Sequence, residues 1–147
     1  MVLEVDTVLI PVDGSEASAD AAEYAVAVAE RYGADLHILY VFGEAISRGI
    51  ETGDLDEDEV AAETQTFIDD VAAIAPEGVT VDSSMAYGFS THRKTTHPGS
   101  VVLDCADDVD ADFLVIPRES VGGGTGDVLE KAAEYVLLYA SQPVLSV

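Results

Sequence analysis

One carboxylate is singled out by where it sits. Asp13 follows the run Val8-Leu9-Ile10-Pro11-Val12 and precedes Gly14-Ser15 and a long Ala-rich amphipathic segment. That order reads as a buried strand, a tight turn and a helix. In an open α/β sheet such a turn lies at the carboxyl end of the strand, where ligands bind. Asp13 therefore either serves a pocket at the first loop or caps and braces the turn before the helix, a common use of Asp.

Two further stretches carry chemistry-bearing residues. Gly122-Gly123-Gly124-Thr125-Gly126 precedes a helical pattern, and glycines at a helix N-terminus can aim N–H groups at an anion. The spacing matches neither G-x-G-x-x-G before a first helix nor G-x4-G-K-S/T. Asp127 and Glu130 already occupy the positive end of that helix. An atypical phosphate site there would draw on Arg118 and Lys131; the alternative is an ordinary connecting loop. The stretch Phe89-Ser90-Thr91-His92-Arg93-Lys94-Thr95-Thr96-His97 holds two of the six Lys+Arg and two of the three His. It reads as an anion or partner contact, with Arg93 or Lys94 brought towards the pocket, or as a solvated loop whose cations are held by carboxylates. His92 and His97 have no evident third ligand, so they argue no metal site.

Nothing in the chain pairs a nucleophile with a base. Ser15 has no neighbouring His, and no G-x-S-x-G elbow occurs. Cys105 falls on the inner face of a predicted helix and is expected to be buried and inert. His37 reads as a core or pocket-edge side chain. The acidic run at 54–59 reads as a solvated helix start. The expectation is a protein without catalysis of its own.

These residues are carried by a chain of 147 residues, 48% hydrophobic, enough for one domain with a real core and too apolar for a disordered acidic tail. No apolar run approaches a membrane span, and the N-terminal residues lack the regions of a signal peptide. A single cysteine rules out an intrachain disulfide and suits a reducing cytoplasm. The charge is extreme: 29 Asp+Glu against 6 Lys+Arg, a formal net of −23. Such self-repulsion destabilises a compact state in dilute buffer and is screened in concentrated salt, so the surface reads as adapted to a salt-rich cytoplasm. Duplex nucleic acid and anionic membranes are disfavoured as partners, since phosphate contacts need clustered Lys and Arg.

Apolar periodicity supplies the frame. Strands are expected at Val5–Val12, Leu36–Phe42, Val79–Tyr87, Phe113–Ile116 and Pro143–Val147. The third is a polar edge strand because of Asp82, Ser83 and Ser84. The first helix spans about Ser15 to Tyr32, with Ala21, Ala25, Val28 and Tyr32 on its inner face and Gly33 as its stop. A loop is expected from Gly43 to Gly53. The second helix starts near Asp54 as cap, with Glu57 completing a capping-box-like pair, and turns Val60, Thr64, Phe67, Val71 and Ile74 inward. The third opens at Pro98, with Val102, Cys105, Ala106 and Val109 inward. The fourth buries Leu129, Ala132, Ala133, Val136, Leu137 and Ala140. Strands alternating with helices imply one α/β domain: a five-stranded parallel sheet, order 3-2-1-4-5, with helices on both faces. A short last strand would leave an open edge, which a second subunit often covers.

Three pieces, in order, resemble the universal stress protein family: Val8 to Glu16 with the Ala-rich helix and Gly33 to Val41; Ala111 to Ile116; and Ala133 to Leu137 running into Pro143 to Val147. The resemblance covers nearly the whole chain. It implies the same five-stranded sheet, a stress role, and a homodimer through the last strand, Pro143 to Val147. In the ATP-binding members the residue matching Asp13 meets the adenine or ribose side of the nucleotide, and Pro11, Val12 and Val41 match the apolar wall. Those members carry G-x2-G-x9-G-S/T after the fourth strand. The matching positions here are Pro117, Ser120, Glu130 and Lys131, so the spacing survives without the motif residues. The chain therefore resembles the members that bind no nucleotide tightly: a dimeric partner-binding module with no cofactor. One alternative is a nucleotide module that keeps the Asp13 pocket and holds phosphate through Arg118, Lys131 or the basic loop. The other is a weak nucleotide hydrolase, which would need a bound metal.

Overall fold

The computed structural model describes residues 3–87, 97–118 and 127–147. Strands β1 (Thr7–Val12), β2 (Asp35–Phe42), β3 (Val81–Tyr87), β4 (Phe113–Ile116) and β5 (Val144–Ser146) form one sheet in the order β3-β2-β1-β4-β5. Every neighbouring pair is parallel. The helices are α1 (Glu16–Tyr32), α2 (Glu44–Thr52), α3 (Glu57–Ile74), α4 (Pro98–Asp108) and α5 (Asp127–Tyr139). The expected strand order and the two-faced arrangement are both present.

Each sheet face has its own core. Val8, Ile10 and Val12 of β1, with Leu36 and Ile38 of β2, meet Ala21, Ala22, Ala25 and Ala29 of α1 and Ile68 and Val71 of α3. The opposite face sets Leu9, Leu39, Val41, Leu114 and Ile116 against Val102 and Ala106 of α4 and Leu129, Ala132, Ala133 and Val136 of α5. Strand alternation sends successive residues of β1 to opposite faces, so both faces are apolar, as a doubly covered parallel sheet demands. Helices α4 and α5 approach closely: a Cβ on Gly99 would lie 2.3 Å from Tyr135 Cβ.

The pairing tells where the sheet opens. β1 runs in register with β2 from Thr7–Asp35 to Val12–Tyr40. Against β4 it pairs only at Val8–Phe113 and Leu9–Leu114. Pro11, with no N–H to donate, falls beyond that last pair. At the amino end the sheet is fastened by Asp112, whose Oδ2 accepts from the backbone N–H of Asp6 at 2.9 Å and of Thr7 at 3.1 Å.

Several boundaries differ from the sequence reading. β1 begins at Thr7 rather than Val5, although Val5 is buried, and β3 begins at Val81 rather than Val79. The expected loop at Gly43–Gly53 is largely the helix α2, braced by an Arg48–Glu44 ion pair one turn apart. Leu55 then packs on Gly49 and its N–H reaches Gly49 O at 2.9 Å, so α3 cannot begin at Asp54. Asp54 accepts from Thr52 Oγ1, and Asp56 is the cap, its Oδ1 2.9 Å from the N–H of Asp58. The inner stripe of α3 is Thr64, Ile68 and Val71; Phe67 is half-buried and Ile74 exposed. Tyr32 and Leu137 are also exposed, because Ala29 and Val136 take the inward positions at their helix ends. Cys105 is half-buried rather than buried, with Ser84 Oγ 3.7 Å from its sulfur.

Candidate functional site

The site begins with a turn that uses half of a carboxylate. Helix α1 is capped by Ser15, whose Oγ accepts from the N–H of Ser18 at 3.1 Å. The buried Ser18 hydroxyl donates back to Ser15 O at 2.9 Å. Asp13 Oδ1 accepts from the N–H of Ser15 at 2.9 Å, so the bracing role read from sequence is present. Its second oxygen, Oδ2, is buried and has no hydrogen-bond partner among the described residues. The residue as a whole is only 8% exposed. A buried acceptor without a donor is costly, so the turn alone does not account for this side chain.

Asp13 and Gly14 form one end of a cleft of about 220 Å³ at the carboxyl ends of β1 and β2. Its lining also includes Tyr40, Val41 and Phe42 of β2, Gly43 at the cap of α2, Ala45 and Ile46 within α2, and Val60, Glu63 and Thr64 of α3. Gly14 has φ +84°, and a Cβ there would lie 2.4 Å from the Tyr40 hydroxyl. The Tyr40 ring is held edge-on to Phe67 at 5.9 Å and tilted against Phe42 at 5.1 Å. Burial pushes the Tyr40 phenol above its ordinary pKa, and the negative charge of Asp13 adds to this. A hydrogen bond with Thr64 opposes the rise, and Glu63 contributes a further small increase. Tyr40 thus stays neutral and keeps its O–H, and Thr64 Oγ1 is anchored to Val60 O at 2.7 Å.

The residues singled out from sequence are distributed as follows. Asp13 and Val41 line the cleft. Pro11 and Val12 are buried within β1. Pro117 is buried just after β4. Arg118 lines a separate, open depression of about 430 Å³ with Glu16, Asp20, Tyr24 and Ser146, beside α1. Lys131 is exposed on α5, which covers the other sheet face. Ser120, the glycine run 122–126 and the basic stretch 89–96 lie outside the described residues, as does the side chain of Glu130. His97 caps α4, its Nδ1 accepting from the N–H of Gly99 at 3.0 Å while its ring stacks on Tyr135. His37 Nε2 lies 2.8 Å from Ser84 Oγ between β2 and β3. Among the described residues no group of three or more His, Cys, Asp or Glu is placed to hold a metal.

Sequence reasoning missed most of the cleft wall: Tyr40, Phe42, Ala45, Ile46 and Glu63 were not marked as site residues. One local signal was available. Gly43 and Gly53 bracket a segment whose Glu44 and Arg48 stand at helical spacing, the mark of a short helix beside the strand end.

With this geometry established, comparison with known proteins is decisive on one point. A model of the universal stress protein family matches residues 4–147. The chain belongs to that family. It is 27% identical over 144 residues to a universal stress protein of Methanocaldococcus jannaschii, covering 95% of this chain and 80% of the relative. Among solved structures it is similar to the universal stress protein UspA of Lactobacillus plantarum, with TM-score 0.71, 20% identity and 99% of each chain covered. It is also similar to the universal stress protein of Archaeoglobus fulgidus in complex with dAMP, with TM-score 0.61, 19% identity and 99% and 98% coverage. At these identities the structural matches establish the fold. Among the described residues no helix is long and apolar enough to cross a membrane.

Proposed function

We propose that this universal stress protein is a non-catalytic binding module whose working site is the Asp13 cleft, and that it belongs to the members without the ATP motif. The observation that carries the reading is the placement of Asp13, a nearly buried carboxylate that lines a small cleft and spends only Oδ1 on the turn, with no partner for Oδ2 among the described residues. Support for a degenerate phosphate site comes from Pro117, which offers no N–H, and from Arg118, which lines the depression beside α1 rather than the cleft. Among the described residues that line the cleft the charged ones are Asp13 and Glu63, the wrong sign for a phosphate chain. The chain acts as a homodimer through Pro143 to Val147: β5 pairs only with β4 among the described strands, and Leu138 and Tyr139 stand exposed on the neighbouring helix.

A second reading, nucleotide binding, is favoured by the Archaeoglobus fulgidus relative in complex with dAMP. Calorimetric titration with ATP, with and without Mg²⁺, and with AMP, in about 1 M KCl, separates the two. The expected result is no micromolar ATP binding. Micromolar binding that is lost in Asp13→Ala would establish the second reading and show phosphate recognition rebuilt from other residues.

A further inference from the structure

His97 makes two contacts with one ring. Its Nδ1 accepts from the backbone N–H of Gly99 at 3.0 Å and so caps α4, which opens at Pro98. A backbone N–H can only donate, so Nδ1 is bare and the imidazole is the neutral Nε2–H tautomer. The same ring stacks on Tyr135 of α5, with centroids 4.6 Å apart and planes inclined by 25°. Pro98 and Gly99 are buried, and Gly99 lies so close to that tyrosine that a Cβ would stand 2.6 Å from its Cγ. One imidazole and one phenol ring therefore join the start of α4 to α5.

Protonation sets these two contacts against each other. An imidazolium carries N–H at both nitrogens, so Nδ1 loses the Gly99 bond. Its charge also meets the positive end of the helix dipole, and the first turn of α4 holds no acidic residue to offset it. The face of Tyr135, in contrast, attracts a cation. Among the described residues, α5 presents Tyr135 to the ring, with Tyr139 packed against Tyr135 at 4.6 Å. Lys131, one turn back from Tyr135, and Glu134 beside it are of opposite sign, and the charges of α4 begin only at Asp104. We propose that His97 is a proton-sensitive clasp between the two helices. Neutral, it holds the first turn of α4 in place against α5; protonated, it releases that turn while its ring stays on Tyr135. The clasp is closed where Nδ1 is bare and opens as pH falls through the range in which imidazoles take up protons.

The test is NMR of the full chain in about 1 M KCl, at about pH 7.5 and about pH 5. Long-range proton–nitrogen spectra of the imidazole report which ring nitrogen of His97 carries the proton. Hydrogen exchange at the Gly99 amide, corrected for the intrinsic pH dependence of exchange, reports the cap. Exchange at Ala106, buried further along α4, reports unfolding as a whole. At the higher pH the proton is expected on Nε2 alone. At the lower pH both nitrogens are expected to be protonated, with Gly99 protection about tenfold lower relative to Ala106. His97→Asn supplies a cap that does not titrate and should keep Gly99 protection level between the two conditions, whereas His97→Ala should show the low value in both. A proton on Nδ1 at about pH 7.5, or a ring still neutral at about pH 5, would overturn the clasp. So would a loss of Gly99 protection that Ala106 matches, or one that His97→Asn shows equally. The ring spectra need only the wild-type chain, whatever the fate of the two variants.

Discussion

Gly14→Ala isolates the contact that shapes the cleft. The residue sits at φ +84°, where an alanine costs about 1–2 kcal/mol of backbone strain. The new Cβ would also stand 2.4 Å from the Tyr40 hydroxyl oxygen, well inside contact distance. Tyr40 cannot step aside freely, because its ring is packed against Phe42 and Phe67. Forcing such an overlap costs about 1–3 kcal/mol. The total, about 2–5 kcal/mol, is a large share of the roughly 5–15 kcal/mol that holds a domain of this size folded. The two parts can be separated. Without the hydroxyl, the nearest ring atom is Cζ at 3.4 Å, an ordinary contact. In a Tyr40→Phe background Gly14→Ala should therefore cost only the backbone part. A double-mutant cycle by urea unfolding in about 1 M KCl should show a coupling of about 1–3 kcal/mol. If Gly14→Ala costs the same in both backgrounds, Tyr40 does not lie over the turn and the described shape of the cleft is wrong.

Three other outcomes follow from particular groups. Burial lowers the His37 pKa below its ordinary 6.5, with Asp82 opposing, so the unfolded chain takes up this proton more readily than the folded one. The stabilising effect is complete above about pH 6.5 and is lost as pH falls towards the folded value, so urea unfolding should show a steeper acid-side loss in the wild type than in His37→Asn. With a formal net charge of −23, the melting temperature should rise strongly as the screening length shortens from about 10 Å at 0.1 M salt to about 3 Å at 1 M; a salt-independent melting temperature would defeat the charge argument. Burial raises the Cys105 thiol pKa against the lowering effect of its Ser84 hydrogen bond. Its reaction with a disulfide reagent at about pH 8 should be at least about tenfold slower folded than unfolded; equal rates would show the thiol to be open.

Much of the fold was legible because strand and helix periods leave separate marks. Five strand-like runs alternating with helical patterns placed the sheet, and the few topologies that right-handed crossovers leave favoured its order. The site was legible only in part. Asp13 could be found by its position, but its two oxygens do different things, and no sequence pattern divides a carboxylate in half. Tyr40 and Phe42 read as strand residues because alternation reports which face a residue takes, not what crosses above it. Glu63 faces outward on its own helix and joins the site only because α3 passes over the end of β2. α2 was passed over because it is nine residues long, has Gly49 inside it and buries only Ser47. Arg118 is near the cleft in sequence logic, at the end of the adjacent central strand, yet it lines the depression beside α1.

That short helix has a consequence for how such a protein can change over generations. α2 begins after Gly43 and ends at Gly53, supplies Ala45 and Ile46 to the cleft, and buries a single residue of its own. The sheet, with its two cores, owes it almost nothing. Insertions, deletions or wholesale replacement between the two glycines would remodel one wall of the cleft while leaving the folding free energy nearly untouched, whereas the Asp13 turn is tied to the first strand and first helix. The shape of the cleft can therefore be altered through a separately exchangeable cassette, with the Asp13 carboxylate kept in place.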